Sequence, residues 1–227
     1  GSALPDDTQT LDATVRVRLE PGADRAYWWI EVSNHSARWS LSEVFFPLLT
    51  GFSRSGACDV AVPRSNWGRL SKNVAGALGG WYPSCDWPMQ FVSLHEGDAG
   101  LYLGYEAPRA FTKWFYLDPG REFYFRTIAE DATRPGNGFT SPGPAAIGLA
   151  PGNWWSAAKM YRTWALRQQW ASEGPLTTRQ STPEACKNLG LWYCDGTDST
   201  TVIDNMRRAQ DFYGVPVGMH WYSWHRW

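Results

Sequence analysis

The chain has 227 residues, with 21 Lys+Arg against 22 Asp+Glu and a formal charge of −1. Without a basic excess or stripe, the charge pattern argues against sequence-independent phosphate binding, and no nucleic-acid partner is expected. No apolar run reaches the roughly 18 residues of a membrane-crossing helix, so no membrane partner is expected, and 43% hydrophobic against 19% charged residues describes a packed core rather than a disordered chain.

The first 150 residues read as β structure. Thr14–Leu19 alternates apolar and polar residues, as a half-buried strand does. Tyr27–Val32 is the next strand, and Ser42–Leu49 a third, with Pro47 marking an edge or a bulge. Phe91–Leu94 and Leu101–Tyr105 flank a turn with two glycines, the clearest hairpin in the chain. Phe111–Leu117 and Glu122–Ile128 flank Asp118-Pro119-Gly120, where Pro sets φ and Gly admits positive φ. Ala145–Leu149 is a further short strand. Short strands at this spacing, without long helices, predict an antiparallel sandwich. Between residues 53 and 90 the periodicity disappears into a Gly-, Pro-, Ser- and Trp-rich loop, and loops this long inside a domain are usually functional.

At Pro151 the pattern changes. Asn153 is a good N-cap, and a helix is predicted over Trp154–Trp170 with Ala157, Ala158, Tyr161, Trp164, Ala165 and Gln168 on one face. Gly174-Pro175 stops it, and residues 174–184 form a polar linker that holds the domain boundary. Leu189–Cys194 is a continuous apolar run, fitting a strand buried on both faces. Asp198 or Ser199 caps a helix with Val202, Met206, Ala209 and Phe212 on one stripe, which Gly214 ends. Val215–Tyr222 is a second buried strand. From Gly190 to Gly218 this β–α–β repeat is 28 residues long, and a (β/α)8 barrel of about 250 residues averages roughly 31 per unit.

Tryptophan is the compositional outlier, with 15 Trp beside 10 Tyr and 10 Phe. Indole faces stack on the apolar C–H faces of sugar rings, so carbohydrate is one reading of this excess, and a Trp-rich β core is the other. Four cysteines allow three pairings, of which Cys58 with Cys85, inside one β region, is the one expected; Cys194 in its apolar run is expected as a buried thiol. No His/Cys cluster has zinc spacing, so no metal and no cofactor are expected. Gly1-Ser2 reads as an expression scar, and no signal peptide follows, although one could precede this start. Asn34-His35-Ser36 is a glycosylation sequon and favours a secreted origin.

The order of these features resembles a known group of glycoside hydrolases. It carries Tyr82-Pro83-Ser84 and Met89-Gln90-Phe91 on a long loop and Gly100-Leu101-Tyr102 in a hairpin. The Trp154–Ala165 helix (WW.AA..YR.WA) and Gly218–His225 (GMHWYSWH) follow. The group is distantly related to α-galactosidases and endo-α-N-acetylgalactosaminidases. The resemblance implies a galactose-mutarotase-like sandwich (a supersandwich) at residues 1–150, a helix and linker at 151–184, and the start of a (β/α)8 catalytic barrel at 185–227. It also implies catalytic carboxylates on later barrel strands, outside this chain. Two parallel strands cannot close an eight-stranded barrel, so the remainder is expected from another chain or from sequence beyond this one, and these residues alone are expected to be inactive.

Active sites of such barrels lie at the C-terminal ends of the strands. Asp195 follows the first strand and is a candidate for hydrogen bonding sugar hydroxyls; the structural reading is a turn or cap residue. His220, Trp221, Trp224 and His225 end the second strand and its loop, and offer a sugar platform with polar contacts; the structural reading is core filling. Tyr82, Asp86, Trp87 and Gln90 sit on the unusual loop as candidate substrate contacts or as interdomain packing. Trp192 and Tyr193 are expected as core, Trp154, Trp155 and Trp164 as core or interface, His35 and His95 at surface turns, and Glu43, Glu96, Glu106 and Glu122 as solvated. The leading expectation is the N-terminal portion of a glycoside hydrolase cleaving α-linked sugars in an oligo- or polysaccharide. The alternatives are a non-catalytic sugar-binding or structural β-sandwich, and a lyase or epimerase on a similar plan.

Overall fold

A computed structural model describes residues 11–51, 58–64, 69–71, 76–84, 86–196 and 198–222. Its contacts divide the chain into two units, residues 1–168 and 169–227.

The first unit is mainly β and antiparallel. Its elements are β1 (Leu11–Arg18), β2 (Arg25–Asn34), β3 (Glu43–Thr50), β4 (Asp59–Val62), β5 (Arg69–Ser71), β6 (Leu78–Tyr82), β7 (Phe91–Glu96), β8 (Ala99–Tyr105), β9 (Lys113–Asp118), β10 (Glu122–Ile128), β11 (Phe139–Thr140), β12 (Ala145–Leu149) and α1 (Trp154–Ala165). One sheet runs β1-β2-β12-β8-β7-β4-β5, with β11 also on β2, and the other runs β3-β10-β9-β6. Both sheets contribute to one core. Val60, Val92, Leu103 and Tyr105 from the first meet Phe115, Leu117, Phe123 and Phe125 from the second. Ring contacts fill it: Trp87 stacks on Phe115 at 5.0 Å, and Phe125 meets Phe115 and Tyr105 edge-on at 4.8 and 5.1 Å. Such pairs stabilise beyond their area alone.

The local signals place their elements. Gly97-Asp98 turns β7 into β8. At the β9–β10 turn, Arg121 N donates to Asp118 O at 3.0 Å. Pro47 lies on β3, an edge strand, opposite the register shift between Tyr124 and Arg126. That is where a missing N–H is tolerated. Asn153 Oδ1 accepts from Trp155 N at 3.0 Å and caps α1, whose Ala157 and Met160 are buried against Phe91, Tyr102 and Ala146.

Several expectations are corrected. Residues 53–90 are not one loop: β4 and β6 lie within them, too short and glycine-rich to show a period but paired on β7 and β9. β1 is exposed along its whole length rather than half-buried, because it is an edge strand. α1 stops at Ala165 rather than Trp170, and a 3-10 turn at Gln169–Ala171 follows. Trp154 and Trp155 are exposed on α1, which removes the core half of the core-or-interface expectation. Glu106 and His95 are buried: Glu106 pairs with Arg25 at 3.0 Å, and His95 Nε2 meets Ser93 Oγ at 2.9 Å. Asn34 is also buried. Its Nδ2 donates to Trp39 O and its Oδ1 accepts from Ser36 N, so the sequon amide is committed inside a turn. Cys85 lies outside the described residues, and with it the expected Cys58–Cys85 pairing.

The second unit holds a 3-10 turn at Leu176–Thr178, then α2 (Glu184–Lys187), β13 (Leu191–Asp195), α3 (Ser199–Tyr213) and β14 (Val217–Trp221). Within the segment read as a linker, Arg179 donates to the carbonyls of Gly174 and Trp170 at 3.0 and 3.2 Å. β13 and β14 are parallel, as the β–α–β spacing predicts. Asp198 caps α3 by accepting from Thr200 N and Thr201 N, and Gly214 ends it at φ 65°, a left-handed conformation that Gly adopts without strain. The stripe on α3 buries Val202 fully but leaves Phe212 81% exposed. Cys194 is an exposed free thiol, which corrects the buried-strand expectation: one face of this two-stranded sheet is uncovered. Among the described residues, no helix is long and apolar enough to cross a membrane.

Candidate functional site

Parallel pairing puts Leu191, Tyr193 and Asp195 on the same sheet face as Val217, Met219 and Trp221. Trp192 and Cys194 share the other face with Gly218 and His220. Trp192 is 67% exposed on that open face and its ring lies over Gly218, where a Cβ would meet it at 2.3 Å. A concavity of about 520 Å³ is lined by Trp192, Cys194, Met219, His220 and Trp221.

Asp195 ends β13, directly across from Trp221. Its Oδ2 accepts from Tyr193 Oη at 2.9 Å and from Asn205 Nδ2 of α3 at 3.4 Å, and its backbone oxygen accepts from Tyr222 N at 2.9 Å. The carboxylate is therefore oriented from its own strand and from the helix that follows. The bond to Asp195 pushes the Tyr193 phenol above its ordinary value. Tyr193, expected as core filling, thus positions a polar group, and Asn205 was not singled out at all. Nothing local links Asn205 to Asp195, ten residues earlier. His220 stacks on Tyr222 at 4.4 Å beside this end of the sheet. The structure places Asp195 and Trp221 opposite each other on one face and His220 on the other face of the same strand end, while Trp224 and His225 lie outside the described residues. Asp198, the next carboxylate, is committed to capping α3, and Asp204 pairs with Arg207 at 3.6 Å.

The four candidates in the first unit occupy different surroundings. Asp86 is partly exposed and 3.8 Å from Arg64 Nη2. Trp87 is buried, donating from Nε1 to Phe91 O at 3.1 Å. Gln90 is fully buried, donating to Ala107 O at 2.9 Å and accepting from Lys113 Nζ at 2.8 Å. The Tyr82 ring lies 4.3 Å from the same Nζ, and the Tyr105 ring 4.8 Å from it. Tyr82 and Gln90 thus meet around Lys113 as parts of a buried knot. Burial pushes the Lys113 pKa down to about 7, against two carbonyl-type oxygens and two ring faces that favour its ammonium. Lys113 was missed, although it alternates in phase with the inward Phe115 and Leu117. Among the described residues, no cluster of three or more His, Cys, Asp or Glu is placed to hold a metal ion.

Comparison with known proteins adds similarity across both units. A family model described as "Domain of unknown function (DUF6259)" matches residues 139–227. A Bacteroides thetaiotaomicron protein named "Putative glycoside hydrolase" is 25% identical over 220 residues, covering 95% of this chain and 32% of its own length. A Monosiga brevicollis protein named "Putative glycoside hydrolase 22789" is 28% identical over 241 residues, covering 96% of this chain and 19% of its own length. The chain thus spans a third or less of these curated relatives.

Proposed function

We propose that this chain is the N-terminal portion of a secreted glycoside hydrolase acting on α-linked sugars of an oligo- or polysaccharide. In this reading the two sheets of the first unit are a galactose-mutarotase-like sandwich, and β13-α3-β14 opens a (β/α)8 barrel. The observation that carries it is the placement of Asp195. It stands at the C-terminal end of a parallel strand, held by Tyr193 and Asn205, with Trp221 directly across. Barrel enzymes build their sites at that end. A carboxylate at this strand end can accept from sugar hydroxyls, with Trp221 on the same face and the His220–Tyr222 stack on the open face as ring surface. The names of the two relatives support the same class.

Hydrolysis of a glycosidic bond needs two carboxyl groups flanking it, about 5–5.5 Å apart for retention and 6.5–9.5 Å for inversion. Residues 220–227 contain no carboxylate. We therefore assign the catalytic pair to later barrel strands, and Asp195 to substrate positioning. The uncovered face of Trp192 and Cys194 is then the barrel interior, closed by the remaining strands. The test is a hydrolysis screen of the full-length protein on α- and β-linked aryl glycosides. Release from an α-glycoside, lost in the full-length Asp195→Asn variant, is expected. Sugar binding without any turnover would favour a non-catalytic sugar-binding module.

A further inference from the structure

A second concavity, of about 860 Å³, is lined wholly by residues of the first unit and by none of the elements that carry Asp195. Its volume falls within the range of small-molecule sites. Its lining includes Glu31, Ser33, Arg109, Phe111, Glu130 and Thr140.

Asn34 and Ser141 in the lining, and Asn137 between the lining residues Gly136 and Gly138, have hydrogen-bonded side chains. Asn137 is buried; it accepts from Leu41 N at 2.6 Å and donates to Leu41 O and Glu130 O at 2.7 and 3.0 Å. Ser141 Oγ accepts from Ile30 N at 2.8 Å and donates to Ile30 O at 3.0 Å. Asn34 is closed on Trp39 and Ser36. The Ser141 bonds hold the end of the 130–141 segment against β2, the Asn137 bonds tie it to Leu41, and β11 pairs with Val32 and Glu31.

The charged groups around the cavity are different. Glu31, Arg109 and Glu130 are exposed, and among the described residues none has an ion-pair partner or a side-chain hydrogen bond. A rigid wall thus presents one guanidinium, two carboxylates and the Ser33 and Thr140 hydroxyls to a common space. Half-buried Phe111 adds an apolar ring packed on the Val32, Val44, Ala129 and Phe139 cluster. Donors and acceptors of both signs around a ring surface suit a ligand that is neutral, ring-shaped and dense in hydroxyls. Vicinal hydroxyls donate to carboxylates and accept from a guanidinium, while the C–H face rests on an aromatic ring.

We propose that this cavity is a second, non-catalytic carbohydrate site that holds a neutral sugar through Arg109, Glu31 and Glu130 against Phe111. Its choice of ligand rests on the carbohydrate reading above, but its residues do not include Asp195.

The test is calorimetric titration of the 227-residue chain with raffinose, maltohexaose, cellohexaose and xylohexaose, and with glycine betaine as a zwitterionic probe. Arg109→Ala and Glu31→Gln remove exposed groups that have no side-chain partner among the described residues, so the melting temperature should not move. Each should weaken binding of at least one sugar by about tenfold or more, and Asp195→Asn should leave that binding unchanged. The proposal is overturned if none of the sugars binds, if only glycine betaine binds, if both cavity variants bind as the parent does, or if the loss follows Asp195→Asn. Failure of the full-length protein to hydrolyse any glycoside would sink the proposed function while leaving this titration readable.

Discussion

Lys113 Nζ donates to Gln90 Oε1 at 2.8 Å, tying the start of β9 in one sheet to the segment that enters β7 in the other. The same ammonium donates to Phe111 O at 2.7 Å and faces the rings of Tyr82 and Tyr105. Both residues are fully buried, so the two sheets are joined through a polar contact inside an aromatic core.

Stability should therefore rise with pH above neutrality. Burial lowers the folded-state pKa of Lys113 from 10.5 to about 7. Between those values the unfolded chain keeps a proton that the folded chain has released, so the unfolded state binds more protons. Stability then increases with pH, by at most about 1.4 kcal/mol per pH unit. The neighbouring Tyr82 and Tyr105 phenols are pushed upward by burial, away from the pH 7 to 9 range of the measurement below. Urea unfolding at pH 7, 8 and 9 should show the rise in the parent chain and a flatter profile in Lys113→Met. Equal slopes would refute it.

The Arg25–Glu106 pair should be costly to break and cheaper to replace. Arg25 Nη1 lies 3.0 Å from Glu106 Oε1, with both side chains under a tenth exposed, and it also donates to Met160 O at 3.3 Å. Glu106→Ala leaves a buried guanidinium without this partner and should destabilise by about 3–5 kcal/mol. The double variant Arg25→Met, Glu106→Leu should lose less than Glu106→Ala alone. Thermal denaturation of the three chains gives the comparison.

Asn137→Ala should cost about 1–3 kcal/mol, since it strips the Leu41 N–H and two carbonyls of partners in a partly buried loop. Hydrogen exchange should show Leu41 losing protection while the β7–β8 hairpin keeps it. Unchanged exchange at Leu41 would exclude this anchoring role.

In the full-length protein, Asp195→Asn should cut hydrolysis strongly with little change in melting temperature. Tyr193→Phe removes the phenol bond to Asp195 Oδ2 and leaves that from Asn205, and should reduce activity less. If instead Asp195→Asn lowers stability by several kcal/mol in proportion to the activity lost, Asp195 is a structural residue.

What the sequence determined alone is local. The Asp118-Pro119-Gly120 turn, the Gly97 hairpin, the Asn153 and Asp198 caps and the Gly214 stop each act within about a helical turn of themselves, and each falls in its place. The mainly β character and the parallel β13–α3–β14 unit follow from the same short-range patterns. Only the tertiary structure decided which charged residues go inside. Arg25 meets Glu106 across 81 positions, and Asn137 meets Leu41 across 96. These contacts exist because β12 sits between β2 and β8 and because the 130–141 segment returns to β2. Strand order is set by packing among distant segments, and no local period encodes it. The same is true of β4 and β6, whose four and five residues become strands by pairing with β7 and β9. At Asp195 the sequence supplied the position, a carboxylate ending an apolar run and two residues from Tyr193, but the Asn205 bond that also orients it depends on α3 returning to the end of β13.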